Sequence, residues 1–345
     1  MIGTELPVPP HFSKDHVGEI RRVRYRELAA GAEGWAKRHN IRPAAEDRFK
    51  ICLILIDLQN CFCIPGFELF VAGRSGSGAV EDIQRLCVFI YRNLRAITQI
   101  SPTMDTHGAM QIFHSIYFIN DKGEHPPPFT LITTEDIERG VWRFNPALCH
   151  SFRISEEYGQ RHLAWYARKL KESGKYELTV WPYHGILGGI GHSLVASVEE
   201  AIFFHAIARY SQPDFHQKGD KPFTEHYSVL GPEVREGPGG ETLGEKSDKF
   251  MQKLIEFDAV IIAGEAKSHC ISWTVDDLLN DIRARDEHLA GKVYVLEDCT
   301  SPVVIPGVID YTDAADDAFR RFARAGVNIV RSVDPISTWP GVRLR

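Results

Sequence analysis

The stretch Lys50-Ile51-Cys52-Leu53-Ile54-Leu55-Ile56-Asp57 holds six apolar residues in succession between a lysine and an aspartate. Such a run suits a strand buried on both faces of a parallel sheet. A Gly/Ser loop follows at Gly73-Arg74-Ser75-Gly76-Ser77-Gly78. Val80, Ile83, Leu86, Cys87, Ile90 and Leu94 then recur at helical spacing, which predicts an amphipathic helix over 79–95. Beyond it the alternation continues. Strands are expected from Ala96 to Pro102, near 213–217, from Phe257 to Gly264, over 292–297 and from Val327 to Arg331. Helices are expected from Glu199 to Tyr210, over 271–284 and over 311–325. Six strands separated by helices predict an α/β, doubly wound, mostly parallel six-stranded sheet with helices on both faces. Ligands bind beyond the carboxyl ends of strands in such sheets. Asp57, Asp105-Thr106-His107 and the loop Gly264–Cys270 all fall at those ends.

The flanks read differently. Residues 1–48 are polar, charged and dotted with proline, an N-terminal extension with one helix near 17–38. Residues 49–335 form the α/β domain, and 336–345 a C-terminal tail. The region at about 115–178 exceeds a minimal βα repeat. It carries Pro126-Pro127-Pro128 and a helix at 155–172, and reads as an insertion.

Composition narrows the function classes. The 345 residues carry a net charge of −6, which gives no basic surface for nucleic acid. No apolar run approaches the ~20 residues of a membrane helix, so no membrane partner is expected. Met1–Leu6 shows no basic segment before an apolar core, hence no signal peptide. The seven cysteines are odd in number and show no zinc-type spacing. A reducing, cytoplasmic compartment is the natural reading, with most of them as small core residues.

Cys270 stands apart. It follows a buried strand and the loop Gly264-Glu265-Ala266-Lys267-Ser268-His269, and it opens a helical run. Free N–H groups at a helix start favour a thiolate and can hold an oxyanion. Asp57, at the end of the first strand, is a candidate base for the thiol proton.

Asp57-Leu58-Gln59-Asn60-Cys61-Phe62-Cys63-Ile64-Pro65-Gly66 resembles the D-x-Q-N-x-F-C-x-x-G opening of nicotinamidases and the wider isochorismatase-like cysteine hydrolases. Asp105-Thr106-His107 resembles their D-x-H motif, and Trp181-Pro182-Tyr183-His184 their W-P-x-H motif. Lys218-Gly219, with Tyr227-Ser228 nine residues after the lysine, resembles their K-G…Y-S segment. Gly264 to Cys270 resembles their G-x-A-x-x-x-C loop. The five motifs fall in family order over about residues 50–300.

The resemblance implies an Asp57–Lys218–Cys270 triad that cleaves the C–N bond of a small amide through a thioester. Lys221 is the rival lysine, but the glycine after Lys218 and the step to Tyr227 favour Lys218. The resemblance also implies a cis Glu265–Ala266 peptide and an oxyanion hole from the N–H groups of Ala266 and Cys270. Asp105, His107 and His184 match the family's metal ligands, and His114 is the candidate for the fourth ligand some members have. A divalent metal (Zn²⁺, Fe²⁺ or Mn²⁺) is therefore expected. Phe62 and Trp181 match the aromatic faces around the substrate ring, and Tyr227 is a further substrate contact. The family also implies a homo-oligomer.

The chain departs from the family after His184, with Gly185-Ile186-Leu187-Gly188-Gly189, and around the nucleophile, where Lys267 and His269 stand. The expected substrate is thus a small carboxamide, carbamoyl compound or ureido acid rather than nicotinamide alone. Two other readings use the same scaffold: vinyl-ether hydrolysis of an isochorismate-like substrate, and a noncatalytic binding protein.

Overall fold

A computed structural model describes residues 5–174 and 176–344. The first four residues of the N-terminal extension and the last residue of the tail lie outside this range. Six strands form one parallel sheet: β1 (Ile51–Ile56), β2 (Ile97–Asp105), β3 (His216–Lys218), β4 (Ala259–Gly264), β5 (Val293–Leu296) and β6 (Asn328–Val330). Their order across the sheet is β3-β2-β1-β4-β5-β6. The direction of winding reverses between β1 and β4, and a doubly wound sheet opens a crevice at that point.

β1 shows why the sequence run had to be apolar throughout. All six of its side chains are fully buried. Alternate residues face opposite sides of a strand. Ile51, Leu53 and Leu55 join one apolar core, while Cys52, Ile54 and Ile56 join a second. The first core is closed by α1 (Tyr25–His39), α2 (Gly78–Arg92), α3 (Glu156–Ser173) and α4 (Ala196–Arg209). The second is closed by α5 (Lys249–Glu256), α6 (Ser272–Arg285) and α7 (Thr312–Arg324). Each fully buried aliphatic side chain contributes about 1.5–3 kcal/mol, so both faces of β1 anchor the domain.

Three elements differ from expectation. β2 runs on past Pro102 to Asp105. Pairing with β3 starts only at Thr103, so the missing Pro102 N–H leaves no gap in that ladder. The N-terminal helix starts at Tyr25 rather than near 17. Residues before it are held by tertiary contacts instead: Val17 and Val23 enter the first core, and the Arg21 guanidinium binds Glu200 and Ser197 on α4. Helix α5 was not expected; its Phe250, Met251 and Leu254 cover the second core.

The insertion holds α3 and short two-stranded ribbons, and its Tyr117, Phe118, Phe144 and Tyr166 belong to the first core. Among the described residues, no helix is long and apolar enough to cross a membrane.

Candidate active site and metal centre

Strand register assembles the charged centre. Asp105 at the end of β2 pairs with Lys218 at the end of β3, and Ile56 pairs with Gly264. Asp57 therefore leaves β1 between these two strand ends. Its backbone is left-handed, with φ +49°, an uncommon conformation that tertiary structure must hold in place. Gly264 must be glycine: at φ +127° a Cβ there would sit 2.1 Å from the Ile56 carbonyl oxygen.

The Lys218 ammonium sits at the hub. Nζ lies 2.9 Å from Asp57 Oδ2, 3.0 Å from Asp105 Oδ1 and 3.6 Å from Cys270 Sγ, and it donates to the His226 carbonyl at 2.9 Å. Lys221 is half-exposed and pairs with its neighbour Asp220. Of the two lysines, Lys218 is the one in contact with Asp57, Asp105 and Cys270. Cys270 lies in a single wide π-helical turn, Lys267–Ile271, that leads into α6. The Glu265–Ala266 peptide is cis.

Burial dominates the electrostatics of Cys270 and Asp57 at the hub. Burial pushes the Cys270 thiol well above its ordinary range; Lys218 pulls it down, but Asp57 and Asp105 push it up again. At Cys270 desolvation thus works against the thiolate that a helix start favours. Burial also raises Asp57, against the pull of Lys218. Burial disfavours charge on Asp105, yet His107 and Lys218 outweigh it and hold that carboxyl well below the usual range. Burial likewise disfavours the ammonium, and the two carboxylates more than compensate, so Lys218 stays charged.

Three supporting residues were not singled out from sequence. Thr103 Oγ1 donates to Asp57 Oδ1 at 2.6 Å and accepts the Asp57 N–H at 3.1 Å. Gln59 accepts the Asp105 N–H at 2.6 Å and donates to the Asp105 carbonyl at 2.9 Å. Glu225 lines the pocket, and burial raises its carboxyl to about 8. The signal for Thr103 was present: it lies two residues before Asp105 and so shares its face of the strand.

Beside the hub, Asp105, His107 and His184 bring their ligand atoms within 4.8 Å of one another. The segment after Trp181 runs alongside the segment after Asp105, with the His107 N–H on the Gly185 carbonyl at 2.9 Å. Gly219 closes over this cluster at φ +86°, where a Cβ would lie 2.5 Å from His107 Cε1 and 2.6 Å from Asp105 Oδ1.

The histidines share a tautomer that fits a cation. Nδ1 of His107 is 2.9 Å from the Gly219 carbonyl, and Nδ1 of His184 is 2.7 Å from the Pro182 carbonyl. A carbonyl accepts only, so each Nδ1 carries a proton, and in the neutral ring each Nε2 then presents a lone pair. Those lone pairs converge on the Asp105 carboxylate, at 2.9 Å for His107 and 3.8 Å for His184. Lone pairs facing a carboxylate repel, and either a cation among these atoms or a second proton on His107 relieves the repulsion. Without a cation, burial disfavours charge on His107, but Asp105 outweighs it and raises the His107 pKa, and His107 Nε2 donates to the carboxylate. His114 stands outside this trio, with its ring 6.2 Å from that of His107 and 6.0 Å from that of His184. Its Nδ1 is also on a carbonyl, that of Ala109, and its buried Nε2 has no partner.

Cys270, Ala266, Phe62, Trp181 and Tyr227 line a cavity of about 30 Å³ that also reaches Asp105 and His184. Tyr227 accepts the Trp181 indole N–H at 2.9 Å. A larger open groove of about 1560 Å³ runs between residues 20–31 and 190–200, and its lining includes none of Asp57, Lys218 and Cys270.

No family model and no curated protein sequence matches this chain. Solved structures do match. The yeast nicotinamidase Pnc1p is similar over 81% of this chain and 99% of its own, at 19% identity and a TM-score of 0.50. The fold is the nicotinamidase fold. The same nicotinamidase bound to the inhibitor nicotinaldehyde gives 18% identity, the same coverage and a TM-score of 0.50. A nicotinamidase pyrazinamidase from Acinetobacter baumanii covers 84% of this chain at 16% identity and a TM-score of 0.49.

Proposed function

We propose that this chain is a cysteine-dependent amidohydrolase that cleaves the C–N bond of a small amide through a thioester. The observation that carries this reading is the buried Lys218 ammonium, in contact with Asp57, Asp105 and Cys270 at once. A binding protein gains little from desolvating a thiol, two carboxylates and an ammonium together, since each burial is costly.

The proposed sequence follows from the positions. Asp57 takes the Cys270 proton as Sγ attacks the amide carbonyl. Lys218 offsets the charge that then moves between thiol and carboxylate. The N–H groups of Ala266 and Cys270, on the wall of the same cavity, receive the oxyanion. Asp57 returns its proton to the leaving nitrogen, and water hydrolyses the thioester with Asp57 again accepting a proton. Phe62 and Trp181 supply apolar faces for the substrate.

Asp105, His107 and His184 would hold a divalent cation, with His114 in reserve beside them. One carboxylate and two imidazoles suit Zn²⁺, Fe²⁺ or Mn²⁺ with positions left open. When bound, such an ion supplies Lewis acidity at the edge of the substrate cavity.

Ammonia release from nicotinamide and a panel of small amides tests the proposal, with Cys270→Ala as control. Turnover by the wild-type chain and none by the variant is expected. Equal turnover by the two would remove Cys270 from the chemistry.

A further inference from the structure

His269 adjoins the nucleophile, and the mechanism above gives it no task. Four aromatic rings enclose its imidazole: Tyr311, Tyr176, Tyr227 and Trp181, with centroids at 4.7, 4.9, 5.1 and 5.3 Å. The side chain is 4% exposed, and it lines the same cavity as Cys270. Nδ1 lies 2.8 Å from Ser268 Oγ, whereas the buried Nε2 has no partner. Leaving a buried polar atom unpaired costs about 1–3 kcal/mol. On the wall of a reactive cavity, that cost points to a ligand which supplies the missing partner.

The proton on the ring can be placed. Ser268 Oγ already accepts the Val303 N–H at 3.0 Å. The oxygen could accept a second bond, but the hydroxyl proton of Ser268 has no acceptor other than His269 Nδ1 among the described residues, which assigns Nδ1 as the lone-pair nitrogen. Burial lowers this imidazole to about 3, which leaves it neutral at physiological pH. A neutral ring that accepts at Nδ1 carries its proton on Nε2. The four surrounding rings fix the plane of the imidazole, so the free Nε2–H is an oriented donor rather than a mobile one.

The cavity has distinct walls. Phe62 packs against His184, 5.4 Å between centroids, and marks the metal side. Trp181 packs against His269 and, with Val303, marks another. A substrate whose carbonyl meets Cys270 would therefore be read at a separate point by His269.

We infer that His269 is a specificity-determining residue whose Nε2–H donates to a hydrogen-bond acceptor on the substrate, away from the reacting carbonyl. This rests on the amidohydrolase reading and narrows its substrate class. Small amides that carry such an acceptor are selected: a ring nitrogen, an oxo group or a hydroxyl oxygen. A site built to hydrogen-bond a substrate discriminates strongly against the analogue that lacks the group, because its own buried polar atom is then left unpaired.

Calorimetric binding to Cys270→Ala tests this without turnover. Pyrazinamide offers ring acceptors, and benzamide offers none. Any contribution of a bound cation is common to every background and cancels in the comparison. Adding His269→Phe is expected to lower the pyrazinamide-to-benzamide affinity ratio about 5- to 30-fold. His269→Gln keeps an N–H donor and is expected to retain most of the ratio. If the Phe variant does not fold, Ser268→Ala serves instead: it frees the proton to move to Nδ1, and a fall in the ratio of at least about threefold is expected. An unchanged ratio overturns the inference, as does the absence of binding by both amides. A ratio that depends on His269, with no ammonia released from any amide by the wild type, refutes the hydrolase reading and leaves the binding role standing. Ammonia release with an unchanged ratio does the reverse.

Discussion

Replacing Lys218 by methionine removes the hub charge while keeping the side-chain length. Its two nearest carboxylates, at 2.9 and 3.0 Å, are both buried, and Asp57 has no exposed surface at all. Deleting one partner of a buried ion pair costs about 3–5 kcal/mol, against ~1 kcal/mol or less for an exposed pair. Lys218→Met is therefore expected to lose about 3–5 kcal/mol at pH 8 in urea titrations followed by circular dichroism. The sign of the pH dependence follows from Asp57. Its folded-state pKa is already raised by burial, and losing the lysine raises it further. As pH falls from 8 toward 4, the folded variant takes up a proton before the unfolded chain does. Proton uptake then favours the folded state, so the deficit relative to wild type narrows in acid. The double variant Asp57→Asn with Lys218→Met leaves no unpaired Asp57 carboxylate and should be more stable at pH 8 than Lys218→Met alone. A loss under ~1 kcal/mol, or a deficit that widens in acid, would refute the buried-pair argument.

Two further outcomes follow from the same site. The Cys270 thiol is pushed well above its ordinary range by burial, so alkylation by iodoacetamide should be slow at pH 7 and still accelerating at pH 9; a plateau reached below pH 7 would show a thiolate at rest. Gly219→Ala should destabilise the fold by more than ~1 kcal/mol and reduce the metal content of purified protein, because its Cβ meets His107 and Asp105 at a positive φ; full metal occupancy in the variant would contradict the close approach.

Much of this arrangement was legible because it depends on local pattern. An unbroken apolar run announces a strand buried on both faces, and β1 divides its residues between two cores as that pattern requires. The ends of such strands are where charged residues become conspicuous, and Asp57, Asp105 and Cys270 were found there. The N-terminal segment shows the opposite case. Val17 and Val23 have the spacing of neither helix nor strand; they are buried by joining the first core, while Arg21 between them binds Ser197 and Glu200 on α4. Helix α5 is only eight residues long, too short for its period to stand out. Glu225 and the orphan nitrogen of His269 are invisible for a related reason. Each is an ordinary residue type whose role exists only once three or more chain segments meet.

The same distinction explains why the reaction class is clearer than the substrate. The proposed proton transfer among Asp57, Lys218 and Cys270 needs only a few residues near strand ends, and strand register alone delivers Asp105 to Lys218. Substrate choice is set by the cavity walls, which are drawn from every layer of the chain. Trp181 comes from the segment after the insertion, Val303 from the loop beyond β5, and Tyr227 from the loop beyond β3. His269 touches all this through its aromatic surround, yet it sits next to the nucleophile in sequence. It is thus the residue where the fixed chemistry of the loop meets the variable walls of the pocket. On the proposed reading, a change there alters which amide is held, while the Asp57–Lys218–Cys270 geometry, built on the sheet, stays in place.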